Sequence, residues 1–188
     1  MVRFAGIGGA VACPSRQTLG VPKPHSHCPM FGLFPPSPFE HPSLGRLAWR
    51  RGHWRGGLSL PRGIDISLVL SGTRKGPDEA AIAEAVQIPA NVKRWRTAID
   101  KALFEHYEPY AKAIAAGQVP KPDHDIPKFH RPEDVSKYSS LLVAVVTPLE
   151  GVMTIELCYG TLWDVEHMLG ARFQRGQLLE LCGSTIPP

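Results

Sequence analysis

Three short stretches of the chain carry side chains able to do chemistry. The first is Trp163-Asp164-Val165-Glu166-His167. Histidine titrates near neutral pH, and a neighbouring carboxylate can orient or assist it, so a Glu166/His167 pair is minimal equipment for general acid–base work. The same residues also suit a plainer role. Asp164 or Glu166 can cap the backbone N–H groups of a turn, with Trp163 packed beneath it. The second stretch, Glu105-His106, repeats the dipeptide. His106 follows Leu103 by three residues and Ile99 by seven, at the edge of a helical apolar stripe. A hydrogen-bonded core histidine is the expectation there. Convergence of His106 and His167 with Glu105 or Glu166 would make a metal or catalytic centre, but the two pairs stand 61 residues apart and their spacing implies no metal site.

The third stretch gathers Arg46, Trp49, Arg50, Arg51, His53, Trp54 and Arg55. Basic and aromatic side chains together can neutralise phosphates and stack on bases. Strand alternation, however, would send Trp49 and its neighbours to opposite faces. A hairpin with exposed arginines and one buried tryptophan explains the pattern as well, and nucleic acid is disfavoured as a partner. The four cysteines form no CxxC and no zinc-finger spacing with histidine, so buried thiols in a reducing compartment are expected. Walker, GxGxxG, GxSxG and HExxH patterns are absent, and no cofactor is implied.

The elements that must position these residues can be read from periodicity. Leu44–Trp49 and Trp54–Leu60 flank a turn at Arg51-Gly52, and Pro61-Arg62-Gly63 leads to a strand over Ile64–Leu70. Gly72–Gly76 reads as a loop. Pro77, Asp78 and Glu79 open a short helix with an Ile82/Ala85/Val86 stripe. Pro89 begins a longer helix with Val92, Trp95, Ile99, Ala102, Leu103, Tyr107, Tyr110 and Ile114 on one face; Pro109 should kink or split it, and Gly117 should end it. One helical turn over 132–137 is followed by a central strand over Leu141–Thr147, a turn at Glu150-Gly151, a strand over Val152–Tyr159, and a hairpin of 168–174 with 177–182. The predicted order is β-β-β-α-α-β-β-β-β. It implies an α+β fold, a largely antiparallel sheet with two or three helices packed on one face.

With 188 residues, 43% hydrophobic and 20% charged, the chain is sized for one globular domain. The net charge of +4 sits mostly in residues 1–29, which hold Arg3, Arg16 and Lys23 and no acid; the remainder carries only +1. Those 29 residues have no apolar periodicity and are expected to form a disordered extension, an upstream translation ahead of a natural start at Met30. Residues 30–188 would then be a single α+β domain. No apolar run approaches the length of a membrane span, and a cytoplasmic location is expected.

Three features carry a resemblance. They are Met30-Phe31-Gly32-Leu33-Phe34 followed by Trp54-Arg55-Gly56; Ala102-Leu103-Phe104-Glu105-His106-Tyr107-Glu108-Pro109-Tyr110; and Trp163-Asp164-Val165-Glu166-His167-Met168-Leu169-Gly170 with its closing hairpin. In these the chain resembles a family of small uncharacterised bacterial proteins, a domain of unknown function with a W-D-x-E-H-x-L-G motif. The resemblance implies a fold and supports the Met30 start, but brings no activity. The expected function is a non-enzymatic binding or interaction module, with Trp163, Asp164, Glu166 and His167 as its binding residues and a protein as one candidate partner. The alternative is a small hydrolase-like enzyme using Glu166 and His167, with His106 as a further catalytic candidate.

Overall fold

The computed structural model describes residues 36–118 and 125–184. The expected extension and the Met30 start lie outside them. Four strands come first: β1 (Phe39–His41), β2 (Gly45–Arg50), β3 (His53–Leu60) and β4 (Ile64–Leu70). A small ribbon, β5 (Gly72–Thr73) with β6 (Gly76–Pro77), leads into α1 (Glu79–Ala115). A 3-10 segment, Pro132–Lys137, precedes β7 (Ser139–Leu149), β8 (Val152–Thr161), β9 (Leu169–Gln174) and β10 (Gln177–Gly183).

The main sheet runs β1-β2-β3-β4-β7-β8-β9-β10. Two antiparallel meanders meet at one parallel joint, where Ser67–Leu70 of β4 pair with Val143–Val146 of β7. Parallel neighbours need a long crossover, and α1 supplies it. Within the meanders, four tight turns place an arginine or glutamate ahead of glycine: Arg51-Gly52, Arg62-Gly63, Glu150-Gly151 and Arg175-Gly176, all with positive φ. Two consecutive positive φ values are the signature of the turn whose twist matches that of paired strands.

The architecture is α+β, as expected, but the element order is not β-β-β-α-α-β-β-β-β. Residues 39–41 add a strand before the first one expected, and the loop at 72–76 belongs to the β5–β6 ribbon. The two helices are one, a 37-residue helix that continues through both Pro89 and Pro109. Each proline removes one backbone donor. Packing outweighs that loss: Ala81, Ala85, Ile88, Trp95, Ile99, Leu103 and Tyr107 form one buried stripe across Pro89, and Tyr110 and Ala111, partly buried against the core, carry it past Pro109. The expected stripe of the first segment is also displaced. Ala81 and Ile88 are fully buried, whereas Val86 is 38% exposed.

The helix covers one face of the sheet. Leu47, Trp54, Leu58, Leu68, Leu70, Ala144, Val146, Leu157, Ala171 and Phe173 meet it there in the main core. Trp95 stacks on Phe173 with ring centroids 4.5 Å apart. Val69, Val145 and Cys158 form a second cluster on the opposite face. On that face the buried Glu156 pairs with Arg172 at 3.1 Å, and Arg172 with Glu180 at 2.7 Å. Gly170 makes room for this ladder, since a Cβ there would lie 2.5 Å from Glu156 Oε1.

Candidate functional site

The 162–168 loop joins β8 to β9 and is tied down at both ends. The Leu162 N–H donates to the Tyr138 carbonyl at 3.0 Å, and the Ser184 N–H to the Met168 carbonyl at 2.8 Å. Trp163 is the anchor, 1% exposed. Its ring meets Tyr107 and Phe129 edge-on, each at 5.7 Å between centroids. The Tyr107 hydroxyl donates to the Pro127 carbonyl at 3.1 Å, fastening the segment that carries Phe129.

The Trp163 indole donates to His106 Nδ1 at 3.2 Å. Indole is a donor only, so Nδ1 of His106 must present a lone pair, and the neutral ring carries its hydrogen on Nε2. His106 is therefore a half-buried acceptor on α1 that holds the loop's anchor. It is not among the side chains bordering the groove described below.

Asp164 shapes the turn itself. Its backbone N–H donates to Thr161 Oγ1 at 3.3 Å, and its Oδ1 accepts the His167 N–H at 3.2 Å. The same carboxylate oxygen lies 2.9 Å from His167 Nδ1. That hydrogen bond, followed by the charge of Asp164, raises the His167 pKa above the usual 6.5; Glu166 adds a smaller push in the same direction. His167 thus takes Asp164 as its carboxylate partner, and its Nε2 faces outward. Glu166 and Val165 project into solvent at the tip of the loop.

These residues border an open groove of about 600 Å³. Lys137, Tyr138, Ser140 and Leu142 form one side, Gly160 and Thr161 contribute from β8, and Asp164 to Met168 close the other side. The structure brings Asp164, Glu166 and His167 to this groove and places Trp163 beneath the loop. Among the described residues no group of three or more His, Cys, Asp or Glu side chains is arranged to hold a metal ion. Sequence reasoning missed Tyr138 and Leu142. Leu142 is the extra residue of a bulge between Leu141 and Val143, and it tips outward beside Gly160. An apolar run such as 141–147 gives no sign of where a bulge falls.

The family model for a domain of unknown function, DUF6985, matches residues 44–186, from Leu44 just before β2 to beyond β10. The chain belongs to the DUF6985 family. No curated protein and no solved structure matches it. The DUF6985 match spans α1, the groove and the whole 162–168 loop, so the site lies wholly within the family's domain. Among the described residues no helix is long and apolar enough to cross a membrane.

Proposed function

We propose that the domain is a non-enzymatic binding module that accepts an apolar side chain of a protein partner in the groove beside the 162–168 loop. One observation carries this reading. Tyr138, Leu142 and Val165 are 37%, 44% and 68% exposed, half of the large hydrophobic side chains left in solvent among the described residues, and all three border this groove. Clustered exposed apolar groups inside a polar rim mark protein-binding surfaces. Lys137, Glu166 and His167 supply that rim. A cytoplasmic setting fits the free thiols of Cys158 and Cys182.

The test is selection from a displayed library of random peptides. The wild-type domain should enrich sequences with a recurring apolar anchor. Leu142→Asp and Val165→Asp should abolish that enrichment while leaving the melting temperature nearly unchanged, because both positions are exposed. Failure to enrich any motif, or enrichment that survives both substitutions, refutes the reading.

One observation favours the hydrolase reading as a second possibility. Asp164 holds His167 by Nδ1 at 2.9 Å and leaves Nε2 free, the arrangement of an oriented general base. Turnover of ester or phosphoester probes, lost in both His167→Ala and Asp164→Asn, would select it over the binding module.

A further inference from the structure

The arginine- and tryptophan-rich stretch of residues 46–55 is divided by the sheet. Leu47 and Trp49 of β2 and Trp54 and Leu58 of β3 face the main core. Alternation therefore places Arg46, Ala48 and Arg50, with Arg55, on the opposite face. Ala48 pairs directly with Arg55, so Arg46 and Arg50 are the diagonal neighbours of Arg55, their Cα atoms about 7–8 Å from it. Three guanidinium-bearing stems thus surround one methyl group.

Acidic groups on this side do not balance them. Glu40 reaches Arg46 at 3.8 Å across an exposed pair. Asp65 is engaged by the Ser59 hydroxyl at 2.6 Å, further along β3 and β4. Among the described residues Arg50 and Arg55 have no ion pair, and the buried Nε of Arg55 has no hydrogen-bond partner. Like charges held this close repel, and a buried guanidinium N–H without an acceptor is unfavourable. A bound oxyanion offsets the repulsion between the arginines, while the Nε of Arg55, closed to solvent, stays out of its reach. Guanidinium forks suit the oxygens of a phosphoryl group, and the small Ala48 leaves space between them. Trp54 is buried in the core and Trp49 lies partly buried on the face opposite the arginines, so neither offers bases a stacking surface beside them, which separates this site from a nucleic-acid platform.

We infer that Arg46, Arg50 and Arg55 form a receptor for a multiply charged phosphate-class oxyanion seated over Ala48. The anion comes either as inorganic phosphate or as the phosphoryl group of a small phosphomonoester. This site lies on β2 and β3, and none of its residues borders the proposed protein-binding groove.

The experiment is isothermal titration calorimetry of the full chain with inorganic phosphate and, separately, with phosphoserine, at constant ionic strength balanced with chloride. Saturable binding is expected for at least one probe, and the tighter one identifies the source. Arg50→Gln and Arg55→Gln should each weaken it by about tenfold or more, whereas Arg94→Gln, on the exposed side of α1, should leave it unchanged. Should Arg55→Gln fail to fold, the exposed Arg50→Gln still decides. Absence of saturable binding to both probes overturns the inference. So does binding that both substitutions leave intact, or binding of a single-stranded oligonucleotide without binding of either small anion.

Discussion

The hydrogen bond between Trp163 and His106 should be measurable as a coupling between α1 and the site loop. Trp163→Phe keeps a ring against Tyr107 and Phe129 but loses the donor that lies 3.2 Å from His106 Nδ1. A net loss of about 1 kcal/mol for the bond and a similar amount for the smaller ring gives about 2 kcal/mol in all. His106→Leu fills the space but strands the indole N–H in a buried setting, a loss of about 1–3 kcal/mol. In the double variant neither polar group is left unpaired, so its loss should fall short of the sum by about 1 kcal/mol. His106→Gln offers a carbonyl acceptor and should recover part of the loss. The assay is urea unfolding of all four variants with a shared slope, supported by thermal melts, where about 1 kcal/mol corresponds to roughly 2–4 °C at this size. Strict additivity, or a His106→Leu variant as stable as wild type, would refute the claim that His106 holds the loop through Trp163.

Trp95→Ala should lower unfolding free energy by about 3–5 kcal/mol, because Trp95 is 4% exposed and loses both its stack on Phe173 and its bond to the Gly176 carbonyl; near wild-type urea unfolding would mean the helix face is misassigned. His167 should titrate above 6.5 by NMR, and Asp164→Asn should bring it down. Because the folded value is the raised one, the stabilisation from the pair is complete below 6.5 and fades as pH rises through the folded midpoint; an unchanged midpoint in the variant would break the assignment. Burial pushes the Cys158 thiol up to about 12, so it should resist Ellman's reagent in the native state and react only on unfolding. Fast native-state modification of Cys158, located by peptide mapping, would contradict this.

What was legible in the sequence was governed by local rules. Residue–glycine pairs at 51–52, 62–63, 150–151 and 175–176 marked the hairpin turns because only paired positive φ values match the strand twist there. Alternation over Ile66, Leu68 and Leu70 marked the core face of β4. The illegible parts depended on competition between local and distant terms. Pro109 reads locally as a break, yet Tyr107 before it packs on Phe129 and Trp163 and Tyr110 after it is partly buried against the core. Val69 sits on what alternation makes the outer face, yet it is 1% exposed, because Val145 and Cys158 join it there. The loop's importance was visible in Trp163 and Asp164, but the groove was not. It needs Tyr138, which follows the 3-10 segment, and Leu142, which a bulge turns outward.

The three buried tryptophans share a design that bears on function. Each indole N–H leaves the core to hold a segment at its margin. Trp54 donates to Thr73 of the β5–β6 ribbon at 2.8 Å, Trp95 to Gly176 of the last hairpin at 3.2 Å, and Trp163 to His106 at 3.2 Å. An aromatic ring with one polar edge suits this use, since the ring gains from burial only if its donor finds an acceptor. In the first two cases the acceptor is a backbone carbonyl, in a strand of the ribbon and in a hairpin turn. In the third the acceptor is a side chain on the helix, and the segment held is the 162–168 loop itself. Asp164 then sets the loop's curvature by accepting the His167 N–H, which leaves Val165 and Glu166 at the exposed tip. The side chains in and behind the loop thus divide in two. Trp163, His106 and Asp164 build the loop, and Val165, Glu166 and His167 are presented by it. Under the binding reading proposed above, a loop held this firmly would lose little conformational entropy on docking, as recognition by a preformed surface requires.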